Sequence, residues 1–327
     1  LVIPKIIYNV NVIKMQNNRQ IAIFGGGGFI GRHLMRDLTR LDYRIKVATR
    51  NPYLKGYLKL MGNAGEIEII KANIFNPEDI KQILNNCDIA INLVGILYET
   101  KKQKFNKLHA EFPYLLSSLC NKMGVKNLIH VSALGVMEKH TSKYMQSKLQ
   151  GEKNIQENFK SSIILRPSLC FGPEDKFFNR FASIAQFSPV LPLFGGGKTK
   201  FEPIYVGDVA KAIVKALDLK NITSKIYELG GPENYSFKEL MKILLAEIKK
   251  KRLLISIPFS LAKLSYFLET LPRPLLTRDQ VELLKYDNIT SGKYPILKDL
   301  NIQGETIKNI LPKYIYRFRS GGQFFVE

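Results

Sequence analysis

The chain has 327 residues, 45% hydrophobic and 24% charged, an ordinary globular composition with enough length for a sizeable core. It carries a formal net charge of +21 and a pI near 9.7, but the lysines are scattered with no basic block or aromatic–basic recognition motif. That pattern speaks against nucleic acid as a partner and leaves an acidic protein or anionic lipid as the match for the charge.

Cys87, Cys120 and Cys170 are odd in number, far apart and without a CxxC pair, which excludes a disulfide framework and a zinc site and points to reduced thiols in a cytoplasmic compartment. His33, His109, His130 and His140 have no ligand spacing and are read as packing or surface residues. No run of about 18 apolar residues is present, so no membrane-spanning helix is expected.

Residues 1–18 form an N-terminal extension, too interrupted for a secretory signal. The chain opens on Leu1 and Met15 stands just before the first strand, which points to an upstream extension or a shifted start. Ile21 to Phe24 has the length of a buried parallel strand, four glycines follow, and Phe29 to Leu41 has helical periodicity through Ile30, Leu34, Leu38 and Leu41. Strand, glycine turn and helix in that order open a dinucleotide-binding βαβ unit.

Each glycine of the Gly25, Gly28, Gly31 spacing has a physical task. Gly25 turns the chain out of the strand, Gly28 lets the backbone approach a pyrophosphate, and Gly31 lets the helix pack against the sheet. The N–H groups from Gly27 and Gly28 through Phe29 and Ile30, with the helix dipole, would hold the anion.

Arg44–Thr49 is a second strand, ending at Arg50. An NAD-preferring site places a carboxylate there for the ribose 2′-hydroxyl; a guanidinium suits a 2′-phosphate, so NADP(H) is expected in preference to NAD(H). Ile67–Ala72 is a third strand, followed by Asn73 and Ile74 where an adenine ring could rest. Pro77–Leu84 is a helix with proline at its start and acidic residues behind it. Ile89–Val94 is a fourth strand, and Gly95 after Val94 keeps space beside the nucleotide.

Phe105–Met123 is a long helix, and Asn127–Val131 is a fifth strand that delivers Ser132. Ser142–Asn158 is a helix, and Ser162–Leu165 is a sixth strand closing on Arg166 and Pro167. The alternation predicts a doubly wound parallel sheet, a Rossmann fold with its ligand beyond the strand C-termini. From about residue 167 the pattern loosens into a smaller α+β region to residue 295, partly interleaved with the sheet of residues 19–166. Within it Asp208 is read as the cap of a helix to Leu217, and 226–229 and 253–257 as short strands. The apolar stretch 253–276 is read as core, with a membrane or partner face as the sharper alternative, and 296–327 as an extension wrapped on a surface or a partner.

Tyr144 and Lys148 form YxxxK on one face of the helix after strand five. An ammonium beside the phenol would lower its pKa and make Tyr144 a proton donor or acceptor at a carbinol carbon, with Lys148 also holding the nicotinamide ribose and Ser132 orienting a carbonyl.

With these residues in place the chain resembles the extended and atypical short-chain dehydrogenase/reductases, and more narrowly the family of NADPH-binding accessory subunits of respiratory complex I and their bacterial relatives. The resemblance rests on FGGGGFIGRHL near the start, HVSALG at 130–135, SKYMQSKLQGEK at 142–153, RPSLCFGPEDKFFNRFA at 166–182, KFEPIYVGDVAKAI at 200–213 and LTRDQVELLKYDN at 276–288. Gly27 departs from it, because relatives commonly carry threonine there. The resemblance implies NADP(H) on the glycine loop and Arg50. It also implies association with NADH:ubiquinone oxidoreductase subunits or quinone-related proteins, on the cytoplasmic face of a bacterial membrane or the matrix side of a mitochondrial one. Two functions stay open: an accessory subunit or assembly factor with a structural nucleotide, and a free-standing reductase or epimerase acting on a sugar-, isoprenoid- or quinone-like substrate.

Overall fold

The computed structural model describes residues 19–219, 224–260 and 277–321. The N-terminal extension 1–18, the apolar residues 261–276 and the last six residues lie outside them, so the readings placed there have no structural counterpart.

Seven strands form one parallel sheet: β1 (Gln20–Phe24), β2 (Arg44–Thr49), β3 (Ile67–Lys71), β4 (Ile89–Asn92), β5 (Asn127–Val131), β6 (Ser162–Pro167) and β7 (Lys225–Leu229). Their order is β3-β2-β1-β4-β5-β6-β7, so the chain crosses over between β1 and β4. That reversal opens a crevice at the C-terminal ends of β1 and β4, where α/β sheets bind ligands. The strands are near-continuous apolar runs because both faces are covered. On one face Ile21, Ile23, Val47, Ile91, Ile129 and Leu165 pack under α1 (Phe29–Thr39) and α6 (Val206–Leu217). On the other, Ala22, Phe24, Ala90 and Leu128 meet α2 (Pro77–Leu84), α3 (Phe112–Lys122) and α4 (Lys143–Asn158).

A second core gathers α5 (Phe178–Phe187), the parallel pair Val190–Phe194 and Leu253–Ile257, and α7 (Phe237–Glu247). The described part of the C-terminal stretch differs from a surface wrap. Leu297, Leu300 and Ile302 enter the sheet core, and Ile307, Ile310, Leu311, Tyr314 and Ile315 enter the second core. Its apolar residues come in short bursts between polar ones, which hides a buried element from a periodicity reading.

Three local readings are corrected. Asp208 does not cap α6: Tyr205 occupies that position without a side-chain bond, and the buried Asp208 carboxylate accepts from Lys211 Nζ at 2.9 Å and from the Glu305 N–H at 2.7 Å. It thereby ties α6 to the C-terminal stretch. The helix read as Phe105–Met123 contains a π-helical turn at Lys107–Glu111 before α3 begins. Pro113 at the start of α3 has no N–H to continue the preceding ladder. The helix read to Leu41 ends at Thr39, whose hydroxyl donates to the Met35 carbonyl at 3.0 Å and the Met61 carbonyl at 2.9 Å.

Candidate nucleotide and Ser–Tyr–Lys site

The glycine loop has the shape that an anion cradle needs. Gly25 sits at φ +88°, and a Cβ there would lie 2.9 Å from the Leu93 carbonyl carbon after β4. The Gly28 N–H closes the turn on the Gly25 carbonyl at 2.9 Å and Gly28 heads α1. The third glycine packs differently from the expectation: a Cβ on Gly31 would overlap the Gly26 carbonyl, so Gly31 fits the helix to its own loop. Phe29 is half-buried with its ring edge-on to His33, and Ile30 joins the sheet core. The loop lies against the chain leaving β4 at Gly25, and the N–H groups at the start of α1 are the donor set that a pyrophosphate requires.

The adenosine side has a mixed outcome. Arg50 follows β2 and is exposed. Asn73 is exposed beyond β3, but its side-chain oxygen already accepts from the Phe75 N–H at 3.1 Å, while Ile74 packs against the core beside it. Strand β4 stops at Asn92, two residues before the expected end, because the Asn92 side chain accepts from the Val94 N–H at 3.0 Å and bends the chain. Val94 is therefore in the loop, and a Cβ on Gly95 would lie 3.4 Å from Lys148 Nζ. A larger residue at Gly95 would crowd the lysine. Pro167 closes β6 and its carbonyl accepts from the Leu134 N–H at 2.9 Å.

Ser132 and Lys148 meet at the C-terminal end of β5, and Tyr144 packs beside them. The Lys148 ammonium donates to the Val131 carbonyl at 3.1 Å, one peptide before Ser132. Tyr144 packs against the small cluster of Ala133, Val136 and Met145, which begins one residue after Ser132. The buried Ser132 hydroxyl has no hydrogen-bond partner among the described residues, the state of a group poised for a ligand carbonyl or a water. Burial lowers the Lys148 pKa to about 8, with Glu152 opposing. The Tyr144 phenol departs from expectation. Burial, then Cys170 and Asp279, push it above the ordinary value, and Lys148 is not among the causes. Desolvation of the phenol sets the direction, and the i,i+4 lysine does not counter it.

Two residues that the sequence reading assigned to packing or passed over hold this corner. His109 sits on the π-helical turn. Its Nε2 accepts from the Ile96 N–H at 3.0 Å, so the ring proton is on Nδ1, which donates to Ser147 Oγ at 3.0 Å. Burial and the Lys148 charge push its pKa down to about 2, so it stays neutral. Its ring meets Tyr144 edge-on at 5.3 Å.

Asp279 lies on α8 (Arg278–Leu283) and accepts from Ser142 Oγ at 2.8 Å, the Lys143 N–H at 2.7 Å and the Tyr144 N–H at 3.2 Å. The rest of its segment reaches every neighbouring loop. Gln280 donates to the Leu97 carbonyl at 3.3 Å, and Asn288 donates to the Leu134 carbonyl at 2.9 Å and accepts from Ser168 Oγ at 2.7 Å. Residues 277–288 thus clamp the loops after β4, β5 and β6 and the start of α4.

The family model described as NAD dependent epimerase/dehydratase matches residues 21–230, nearly two thirds of the chain. Among relatives, the mitochondrial NADH dehydrogenase [ubiquinone] 1 alpha subcomplex subunit 9 of Arabidopsis thaliana is 30% identical over 93% of this chain and 79% of that protein. Its counterpart from Mus musculus is 31% identical over 86% of this chain and 76% of that protein. Among solved structures, an NADPH-dependent quinone oxidoreductase of Escherichia coli complexed with NADPH superposes with a TM-score of 0.71 at 17% identity, over 90% of this chain and 98% of that one. That last likeness shows the fold alone, a Rossmann sheet shared with dinucleotide-binding proteins. The chain belongs to the NAD dependent epimerase/dehydratase family and, within it, is a relative of the complex I alpha subcomplex subunit 9 proteins.

Proposed function

We propose that this chain is an NADP(H)-binding accessory subunit or assembly partner of NADH:ubiquinone oxidoreductase, in which the nucleotide is a structural element. The observation that carries the reading is the reach of the likeness. The family model stops at residue 230, whereas the likeness to subunit 9 takes in 93% of the chain and so extends well into the C-terminal third. That third contains the clamp and the stretch that fills the second core.

Burial raises the Tyr144 phenol and keeps it protonated, and Lys148 gives one of its three N–H donors to the Val131 carbonyl, an arrangement that can hold a nucleotide without requiring turnover. NADP(H) is favoured over NAD(H) because Arg50 stands where a carboxylate would select NAD.

A surface for assembly is available on the short helix Tyr53–Met61, where Tyr53 is 96%, Leu54 70% and Leu60 87% exposed beside the exposed Lys59. Such a mixed apolar and basic face suits an acidic partner or the inner surface of an anionic membrane. Among the described residues no helix is long and apolar enough to cross a membrane.

The alternative is a reductase or epimerase acting on a sugar-, isoprenoid- or quinone-like substrate. The buried, unpartnered Ser132 hydroxyl beside Tyr144 and Lys148 favours it. Size fractionation of gently solubilised native membranes, with this protein followed by antibody, separates the two. Co-migration with the NADH-oxidising complex is expected; migration as a small free species would overturn the subunit reading.

A further inference from the structure

The phosphate loop has a cation lying across it that the sequence reading did not single out. Lys55 belongs to the helix Tyr53–Met61 that follows β2, and its ammonium donates to the Gly27 carbonyl at 3.1 Å. It fits there because residue 27 is glycine: a Cβ at that position would lie 2.7 Å from both Cδ and Cε of Lys55. The adjoining Gly26 leans on β2, since a Cβ on it would lie 3.0 Å from Val47 Cγ1. This half of the loop therefore faces the end of β2, the side on which a Rossmann sheet receives the adenosine ribose.

Two cations reach the Gly27 carbonyl, and they are not equivalent. Arg32 approaches the same Gly27 carbonyl at 3.4 Å, but its guanidinium is ion-paired with Glu174. Neither Arg50 nor Lys55 has a carboxylate partner among the described residues. An ammonium has three N–H donors, and Gly27 takes one of them. Lys55 follows Arg50 by five residues on the segment leaving β2.

We propose that Lys55 is a second cation for the 2′-phosphate of NADP(H), reaching it through the gap that Gly27 leaves and acting with Arg50. The assignment rests on the cofactor reading above and deepens it: the preference for the phosphorylated dinucleotide is shared between two basic residues. A threonine at position 27 would close the gap and turn the lysine away. A phosphate dianion met by two cations without carboxylate partners gains charge-assisted bonds that an unphosphorylated ribose cannot form.

The test is a calorimetric titration of the full chain with NADPH, NADH and 2′,5′-ADP, on wild type, Lys55→Met, Gly27→Thr and, as a surface control on the same helix, Lys59→Met. The expected result is a loss of about tenfold or more in affinity for NADPH and 2′,5′-ADP in both Lys55→Met and Gly27→Thr. NADH binding should change by less than about twofold in Lys55→Met, Gly27→Thr should weaken NADPH more than NADH, and Lys59→Met should behave as wild type.

Equal weakening of NADPH and NADH would make Lys55 a pyrophosphate or packing residue and overturn the proposal. So would unchanged NADPH binding in either variant. A wild-type chain that binds neither dinucleotide would instead overturn the cofactor reading underneath. Wild-type binding of NADPH with an inert Lys55→Met would leave that reading standing and remove this one.

Discussion

Asp279 accepts a hydrogen bond from the backbone N–H of Tyr144 at 3.2 Å, across 135 positions of sequence. The same carboxylate takes Ser142 Oγ and the Lys143 N–H, so it satisfies donors at the open end of α4 and complements the positive end of that helix. The helix that presents Tyr144 and Lys148 is thus seated by a segment far outside the 21–230 family match.

Removing that seat has a measurable cost. Asp279→Ala strips three donors of one acceptor group and is expected to destabilise the chain by about 2 kcal/mol, the scale of a lost charged cap. Asp279→Asn keeps one acceptor oxygen and should lose less. Denaturant midpoints of the two variants check the order, and nucleotide affinity should fall with them as Lys148 loses its fixed position. Equal stability of Asp279→Ala and wild type would mean that the clamp does not hold α4.

The buried pair one turn after Lys148 makes a sharper stability prediction. Arg166 donates to Glu152 through Nε at 3.0 Å and Nη2 at 2.5 Å, with Glu228 at 3.9 Å on its other side. Arg166→Leu leaves Glu152 charged and unpaired in the interior, at a cost of about 3–5 kcal/mol. The double variant Arg166→Leu with Glu152→Leu should recover more than half of that loss in chemical denaturation. If the double variant is as unstable as the single one, the pair is not coupled as described.

Lys148 predicts a direction with pH. Its pKa is lowered to about 8 by burial, from an ordinary 10.5. Between those values the unfolded chain holds a proton that the folded chain has released, so this group's contribution to stability rises with pH. Below about pH 8 the buried charge is present and unfavourable. Comparing nucleotide-free wild type with Lys148→Met, the stability difference should move in favour of wild type from pH 7.5 to pH 10. A difference flat with pH would place the lysine's titration outside this window.

Most of the sheet was readable because parallel strands buried on both faces are short apolar runs set between glycine and polar turns. Ile21–Phe24, Arg44–Thr49 and Asn127–Val131 are plain examples. Arg50 and the YxxxK pair were readable because their distance from the glycine loop and strand order is fixed by the βαβ repeat.

His109, Lys55 and Asp279 were not, for different reasons. His109 depends on the π-helical turn, which shifts residues around the helix in a way that 3.6-residue periodicity cannot anticipate, and on Gly151, where any side chain would overlap the His109 carbonyl. Lys55 depends on the absence of a side chain 28 positions earlier. Asp279 sits inside a stretch whose pattern could be quoted, but the pattern does not say that its carboxylate meets α4. The rise of the Tyr144 pKa was hidden for a related reason: spacing shows that Lys148 is on the same helix face, whereas burial is a property of the whole fold.

If the nucleotide site serves assembly rather than turnover, blocking the phosphate cradle and removing the Tyr144 hydroxyl have different consequences for the NADH-oxidising complex. Cells whose only copy of this protein carries Gly28→Glu or Tyr144→Phe would be fractionated after gentle solubilisation, and the NADH-oxidising complex followed by size and activity. Gly28→Glu places a carboxylate in the phosphate cradle, where an added Cβ would lie 3.1 Å from the Gly25 carbonyl oxygen; Tyr144→Phe removes only a hydroxyl. The account predicts that Tyr144→Phe co-migrates with a complex of wild-type size and activity, while Gly28→Glu leaves the complex and the complex loses activity. Equal loss in both variants would contradict it and make Tyr144 the proton-transfer residue of a reaction.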